Sequence, residues 1–348
     1  MRRLQTYFSF LLFVLPVFLF SQQTARITGT IQNTKADKVE VEYPSHFLSQ
    51  MPEVQSGKLD SRGRFSVDIP LSGAAKLGLY CGEVEAQIYV EPGDELSLNI
   101  DVKEGPESLT FSGDRAAENT CLQSYLQTFF GDEDQEQGFF LHLQHDLPED
   151  FLVYGEEYLT ARESFFNTFN EENPLSESFL TYSADDYTYS YVELMFQYRD
   201  RYMDRSREEN LPALSSSYYQ FLEGVSFQND AAVNREMYRN AVNAFLQYKF
   251  NSLLSERIEN FDYDLREGGM DRLTLSKILF QGKTQDMVVA GILAEAISQG
   301  GIEEMEEELT AFIEQKESLY PGPVAQLKEL KKNPAPARPR PGDWDPEN

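Results

Sequence analysis

The chain has 348 residues, 41% hydrophobic and 13% aromatic, which is ample material for a core and suits two domains of roughly 150 residues each. Against 58 Asp and Glu stand 30 Lys and Arg, a formal net charge of −28 spread along the chain, so phosphate backbones and anionic lipid surfaces are repelled and a nucleic acid partner is not expected. The two cysteines, Cys81 and Cys121, form no C-x-x-C pair and support a redox dithiol poorly; two buried thiols acting as small hydrophobes are the reading preferred to a Cys81 to Cys121 bridge, which an export compartment would permit.

In chain order, Arg2 and Arg3 precede a fourteen-residue apolar run from Tyr7 to Phe20, and small or polar residues follow at Ser21-Gln22-Gln23-Thr24-Ala25. This pattern reads as a secretory signal peptide over residues 1–22. The run falls short of the roughly 20 apolar residues that span a bilayer, and no Cys follows it to accept a lipid, so no membrane insertion is expected after cleavage. An uncleaved signal anchor is the alternative.

From Arg26 to Ser112 the apolar residues alternate with polar ones, as at Phe65, Val67, Ile69 and at Leu96, Leu98, Ile100. Seven such runs, separated by turn residues, predict a small antiparallel β-sandwich over 26–112. Asp60-Ser61-Arg62-Gly63 separates two of them, and Pro92-Gly93-Asp94 has the chemistry of a type II turn, with φ fixed at Pro92 and positive φ at Gly93.

After Gly113 the period becomes 3.6, and an all-α domain is expected over 113–332, giving an α+β chain overall. Leu122, Tyr125, Leu126, Phe129 and Phe130 fall on one face of a helix starting near Asp114, whose carboxylate is placed to cap the first turn. The spacing recurs at Tyr187, Tyr191, Leu194, Met195, Tyr198, Tyr202 and at Ile302, Met305, Leu309, Phe312, Ile313, and Met287 to Ile297 is apolar almost all round, as a central helix would be. Longer loops are expected around "GDEDQEQG" and "NEENPLSES". The aromatic stripes read as core rather than as a ligand site. Five prolines among residues 333–348 predict an extended, disordered tail with an exposed Trp344.

"IYVEPGDELSLNID" followed by "LTFSGDRAAENTCLQSYL" resembles the N-terminal region of exported TlpA-like thiol:disulfide oxidoreductases, in which a small β domain leads through a Pro-Gly-Asp turn and an F-x-G-x-x-A-x-x-N-x-x-L signature into a helical insert. The signature here is Phe111, Gly113, Ala116, Asn119 and Leu122, after Pro92, Gly93 and Asp94. "LPALSSSYYQFLEGVSF" and "MYRNAVNAFLQY" are similar to the helical part of the same family, so the likeness runs over nearly all of 26–332. The residues themselves suggest structural work. Gly113 permits a sharp turn, Ala116 a close approach of helix to sheet, Leu122 a core contact, and Asn119 a buried amide satisfied by strand backbone, fixing the angle between the two parts.

The resemblance implies a periplasmic protein. In the family, a thioredoxin-like domain with a redox C-x-x-C follows a Pro-Ala-Pro segment; here Pro334-Ala335-Pro336 is followed by Ala337-Arg338-Pro339-Arg340, and no C-x-x-C occurs. The family's activity therefore carries over to no residue of this chain. Other chemistry is weakly supported. His142, His145 and Asp146 lie within one helical turn but offer too few metal ligands, and Asp132, Asp134 and Glu136 lack both the Gly and the bidentate Glu of a calcium loop. No cofactor is expected. The reading is a non-catalytic accessory module that acts on a protein partner or by self-association. The alternatives are a truncated copy of a full oxidoreductase and a glycan or peptide binder.

Overall fold

The computed structural model describes residues 23–131, 133–209, 211–259 and 268–333; the stretch 1–22, read above as a signal peptide, and the proline-rich stretch 334–348 with Trp344 lie outside them. Eight strands come first: β1 (Gln23–Gln32), β2 (Lys38–Tyr43), β3 (Glu53–Lys58), β4 (Arg64–Leu71), β5 (Ala75–Cys81), β6 (Val84–Val90), β7 (Glu95–Asp101) and β8 (Thr110–Gly113). They form two four-stranded sheets, ordered β4-β1-β7-β8 and β3-β2-β5-β6. Each presents its apolar alternation to the other. Ile27, Val67, Ile69 and Leu98 of the first sheet share one buried cluster with Val39, Val41, Leu77, Leu79 and Ile88 of the second.

The expected turns have the chemistry read from the sequence. Gly93 has φ 95°, and the Asp94 N–H donates to the Glu91 carbonyl at 3.1 Å, closing the turn before β7. Between β3 and β4, the Asp60 carboxylate accepts from the N–H groups of Arg62 and Arg64 and from Arg64 Nε, and these bonds hold its pKa down to about 2.

Two details of the sandwich differ from the sequence pattern. β1 pairs antiparallel with β4 but parallel with β7, Arg26 to Gln32 lying in register with Glu95 to Asp101. β1 and β7 are joined by the intervening strands rather than by a hairpin, so no tight turn dictates their direction. The strand beyond the seven expected, β3, carries no apolar alternation because it is an edge strand whose side chains are all exposed.

Among the described residues the helices are α1 (Ala116–Phe130), α2 (Glu133–His145), α3 (Pro148–Glu172), α4 (Glu177–Glu209), α5 (Glu236–Glu259), α6 (Gly268–Leu279), α7 (Gly282–Ser298), α8 (Glu306–Lys316) and α9 (Pro321–Lys332). The segment "GDEDQEQG", expected as a long loop, instead runs into α2, whose backbone is helical from Glu133; Asp132 lies outside the described residues. The run Ile302 to Ile313 is divided, with a 3-10 turn at Ile302–Met305 ahead of α8.

α7 is the central helix, with Met287, Val288, Val289, Ala290, Ile292, Leu293 and Ile297 buried. Its first turn is capped from outside, because Asp230 Oδ1 accepts from the Thr284 N–H at 3.0 Å and from its hydroxyl at 3.1 Å. Around α7 the helices bury one large cluster that includes Tyr191, Met195, Tyr198 and Tyr202 of α4. A smaller cluster of Tyr89, Cys121, Leu122, Tyr125, Phe166, Phe179 and Tyr182 fills the seam between sandwich and helices.

Candidate functional site

The family-like residues converge where β6, β8 and α1 meet. The chain turns out of β8 at Gly113, whose φ is 86°; a Cβ there would lie 2.4 Å from the Glu95 carbonyl oxygen, so glycine is required. The next residue departs from expectation. Asp114 does not cap α1: its carboxylate accepts from the Glu95 N–H at 2.9 Å while its own N–H donates to the Glu95 carbonyl at 2.9 Å. Asp114 thus extends the pairing with β7 by one residue. Arg115, in the left-handed region at φ 59°, then redirects the chain into the helix.

Asn119 is fully buried, and its amide reproduces a strand pairing. Oδ1 accepts from the Tyr89 N–H at 2.8 Å, and Nδ2 donates to the Tyr89 carbonyl at 2.8 Å and to the Arg115 carbonyl at 2.8 Å. One turn later, Gln123 Nε2 donates to the Gln87 carbonyl at 2.6 Å. β6 is the edge of its sheet, so α1 covers backbone groups that would otherwise be open to another strand. Leu122 is buried in the seam cluster, Ala116 is half-buried, and Phe111 packs at the margin of the sandwich core.

Charge gathers on this corner. The Arg115 guanidinium reaches Glu91 at 2.8 Å, Asp94 at 3.2 Å and Glu118 at 3.8 Å. Glu91 also accepts from the Tyr89 hydroxyl at 2.8 Å and from the Ser178 hydroxyl at 2.6 Å, and Glu118 accepts from the Ser176 N–H at 3.2 Å, which ties the start of α4 into the same network. Burial pushes the Asp94 carboxyl above its ordinary range, against the opposing pull of the Glu91 N–H and Arg115. Each of these carboxylates has a partner, and the network ties β6, the turn after it, α1 and the start of α4 together.

Tyr89, Glu91, Arg115 and Glu118 were not singled out from the sequence. Tyr89 carried a signal, because the run Ile88-Tyr89-Val90 breaks the alternation of β6 and is buried on both faces. A second fastening was equally silent. Lys76 of β5 pairs with Asp186 of α4 at 2.6 Å, beside Arg235, which pairs with Asp185 at 3.1 Å.

The thiols are separated by fold. Cys81 lies in the sandwich core, 3.7 Å from the Thr34 hydroxyl, and Cys121 lies in the seam cluster. Both are buried and free, so the bridge is not formed. Burial raises the Cys81 thiol and pushes Cys121 up to about 12, so neither is held as a thiolate at neutral pH.

His142 and His145 end α2. His142 Nδ1 lies 2.8 Å from Asp146 Oδ2 and its ring stacks on Tyr154 at 4.2 Å, while His145 is exposed. Among the described residues no group of three or more His, Cys, Asp or Glu is placed to hold a metal ion. Beside this turn, α2 and α4 leave a cleft of about 520 Å³ lined by Leu143, Gln144, Arg201, Asp204, Arg205 and Arg207.

No family model matches the chain, and no curated protein matches it.

Proposed function

We propose that the chain is a non-catalytic accessory module of the periplasm, akin to the N-terminal half of TlpA-like thiol:disulfide oxidoreductases, and that it acts by binding or assembly. The observation that supports this reading is the use made of Phe111, Gly113, Ala116, Asn119 and Leu122: they turn the chain out of the sandwich, lay a helix along a sheet edge and lock it there. The buried thiols support it as well. Disulfide exchange needs an accessible thiolate, and both sulfurs lie in apolar clusters with raised pKa values.

The test uses the protein purified from its native cells. The expected result is recovery in the periplasmic fraction, insulin disulfide reduction at background, slow thiol labelling when folded, and two equivalents labelled after denaturation without reductant. Reduction of insulin above background that is lost in a Cys121→Ala variant would overturn the non-catalytic reading; retention in the cytoplasmic fraction would overturn the location.

A further inference from the structure

The cleft between α2 and α4 gathers positive charge on a chain whose formal charge is −28. Three guanidiniums, those of Arg201, Arg205 and Arg207, face it against one carboxylate, that of Asp204. They are not equally committed. Arg205 donates to the carbonyls of Gln144 and, at 2.6 Å, of Asp146, so much of its charge answers the carbonyls at the C-terminal end of α2. Its Nε is buried with no acceptor. Arg207 approaches Asp204 only at 3.9 Å, with both side chains about three-quarters exposed. The Arg201 guanidinium makes no hydrogen bond or ion pair among the described residues, whereas its neighbour Arg199 is bound to Asp200.

We propose that this cleft binds a small oxyanion, a carboxylate or phosphate group, held by Arg201 and Arg207, with the charge of Arg205 behind them. Guanidinium is the side chain best matched to such a group, because its planar fork makes paired charge-assisted hydrogen bonds. The volume is that of a small-molecule site; Leu143 supplies an apolar wall and Gln144 a neutral amide. Size is decided by the rest of the molecule. A long polyanion would meet the negative field of the whole surface, while a small anion meets mainly the local excess of guanidinium. The site is independent of the accessory-module reading, and its failure would leave that reading intact.

The probes are inorganic phosphate and succinate, each at about 20 mM and compared with sodium chloride of matched ionic strength, with thermal midpoint and calorimetric titration as readouts. The expected result is stabilisation and a saturable heat with at least one probe, and at least about tenfold weaker binding in the Arg201→Gln/Arg207→Gln double variant. Arg205 is left intact because it also secures α2; an unchanged far-UV spectrum verifies that the variant folds. A response to phosphate alone assigns a phosphate-bearing ligand, and to succinate alone a carboxylate-bearing one. The proposal is overturned if neither probe exceeds chloride, if the double variant binds as tightly as the wild type, or if a DNA duplex binds in preference to both.

Discussion

At Asn119 a single side chain carries out the pairing that β6 lacks on its outer side. Its amide meets both backbone groups of Tyr89 and the Arg115 carbonyl in a fully buried setting. Removing it leaves a strand N–H and carbonyl without partners where water does not reach, and that penalty exceeds the modest net gain of ordinary hydrogen bonds. Asn119→Ala is therefore expected to lower unfolding stability by about 3 kcal/mol, measured by urea denaturation. A change within experimental error would mean that water reaches Tyr89 and that the amide is not the fastening. The role of Asn119 was legible in the sequence through its place in the resembling F-x-G-x-x-A-x-x-N-x-x-L signature, as a polar residue among small and apolar ones. Arg115 was not, since a left-handed arginine leaves no mark on periodicity and its three acidic partners come from two elements.

Among the elements, the connection between β2 and β3 does the most that periodicity did not disclose. Within it, Phe47 is 6% exposed, packs in the helical cluster and meets Tyr320 edge to face at 5.2 Å, while the Leu48 carbonyl accepts from Gln326 Nε2 of α9 at 3.2 Å. His46 lies against the first turn of α9, so close that a Cβ on Gly322 would come within 2.6 Å of its ring, and its Nδ1 is buried without a partner. Burial lowers the His46 pKa from its ordinary 6.5; Glu53 pulls it back up and Arg239 pushes it further down. The folded state therefore takes up this proton less readily than the unfolded chain. The contribution to stability is complete above 6.5 and is lost as pH falls from 6.5 toward the folded value. Wild-type protein should accordingly lose more stability than His46→Gln between about pH 7.5 and pH 5.5, by urea denaturation at each pH. Equal losses would show that His46 is hydrated in the folded state. Strands with one buried face and a helix as apolar as α7 declare themselves by period. A loop such as Pro44-Ser45-His46-Phe47-Leu48 offers only an isolated apolar pair, and the surface that buries it comes from the far end of the chain.

For the molecule as a whole, the α+β order was legible because the change of period at Gly113 is sharp, but the way the halves are joined was not. Among the described residues, three of the fastenings that connect them arise from the β3-β2-β5-β6 sheet: the Phe47 loop to α9, Lys76 of β5 to Asp186 of α4, and Tyr89 of β6 to Asn119 of α1. Tyr89 also places its ring edge to face against Phe179 at 4.9 Å and Tyr182 at 5.2 Å, so the seam is apolar as well as hydrogen-bonded. Each half has its own core, which would let them unfold separately if the seam were weak. A seam anchored at three separated points opposes that, because exposing one half removes partners from buried groups of the other. Hydrogen exchange along a urea series should then show amides of β6 and of α4 merging into one opening with the same urea dependence. Combining Phe47→Ala with Lys76→Met removes two of these fastenings and should separate the openings, the helical half exchanging first because Phe47 leaves its core. Distinct openings in the wild type would show that the halves are joined without being energetically coupled. A single opening that survives in the double variant would assign the coupling to the seam around Tyr89 and Asn119 alone.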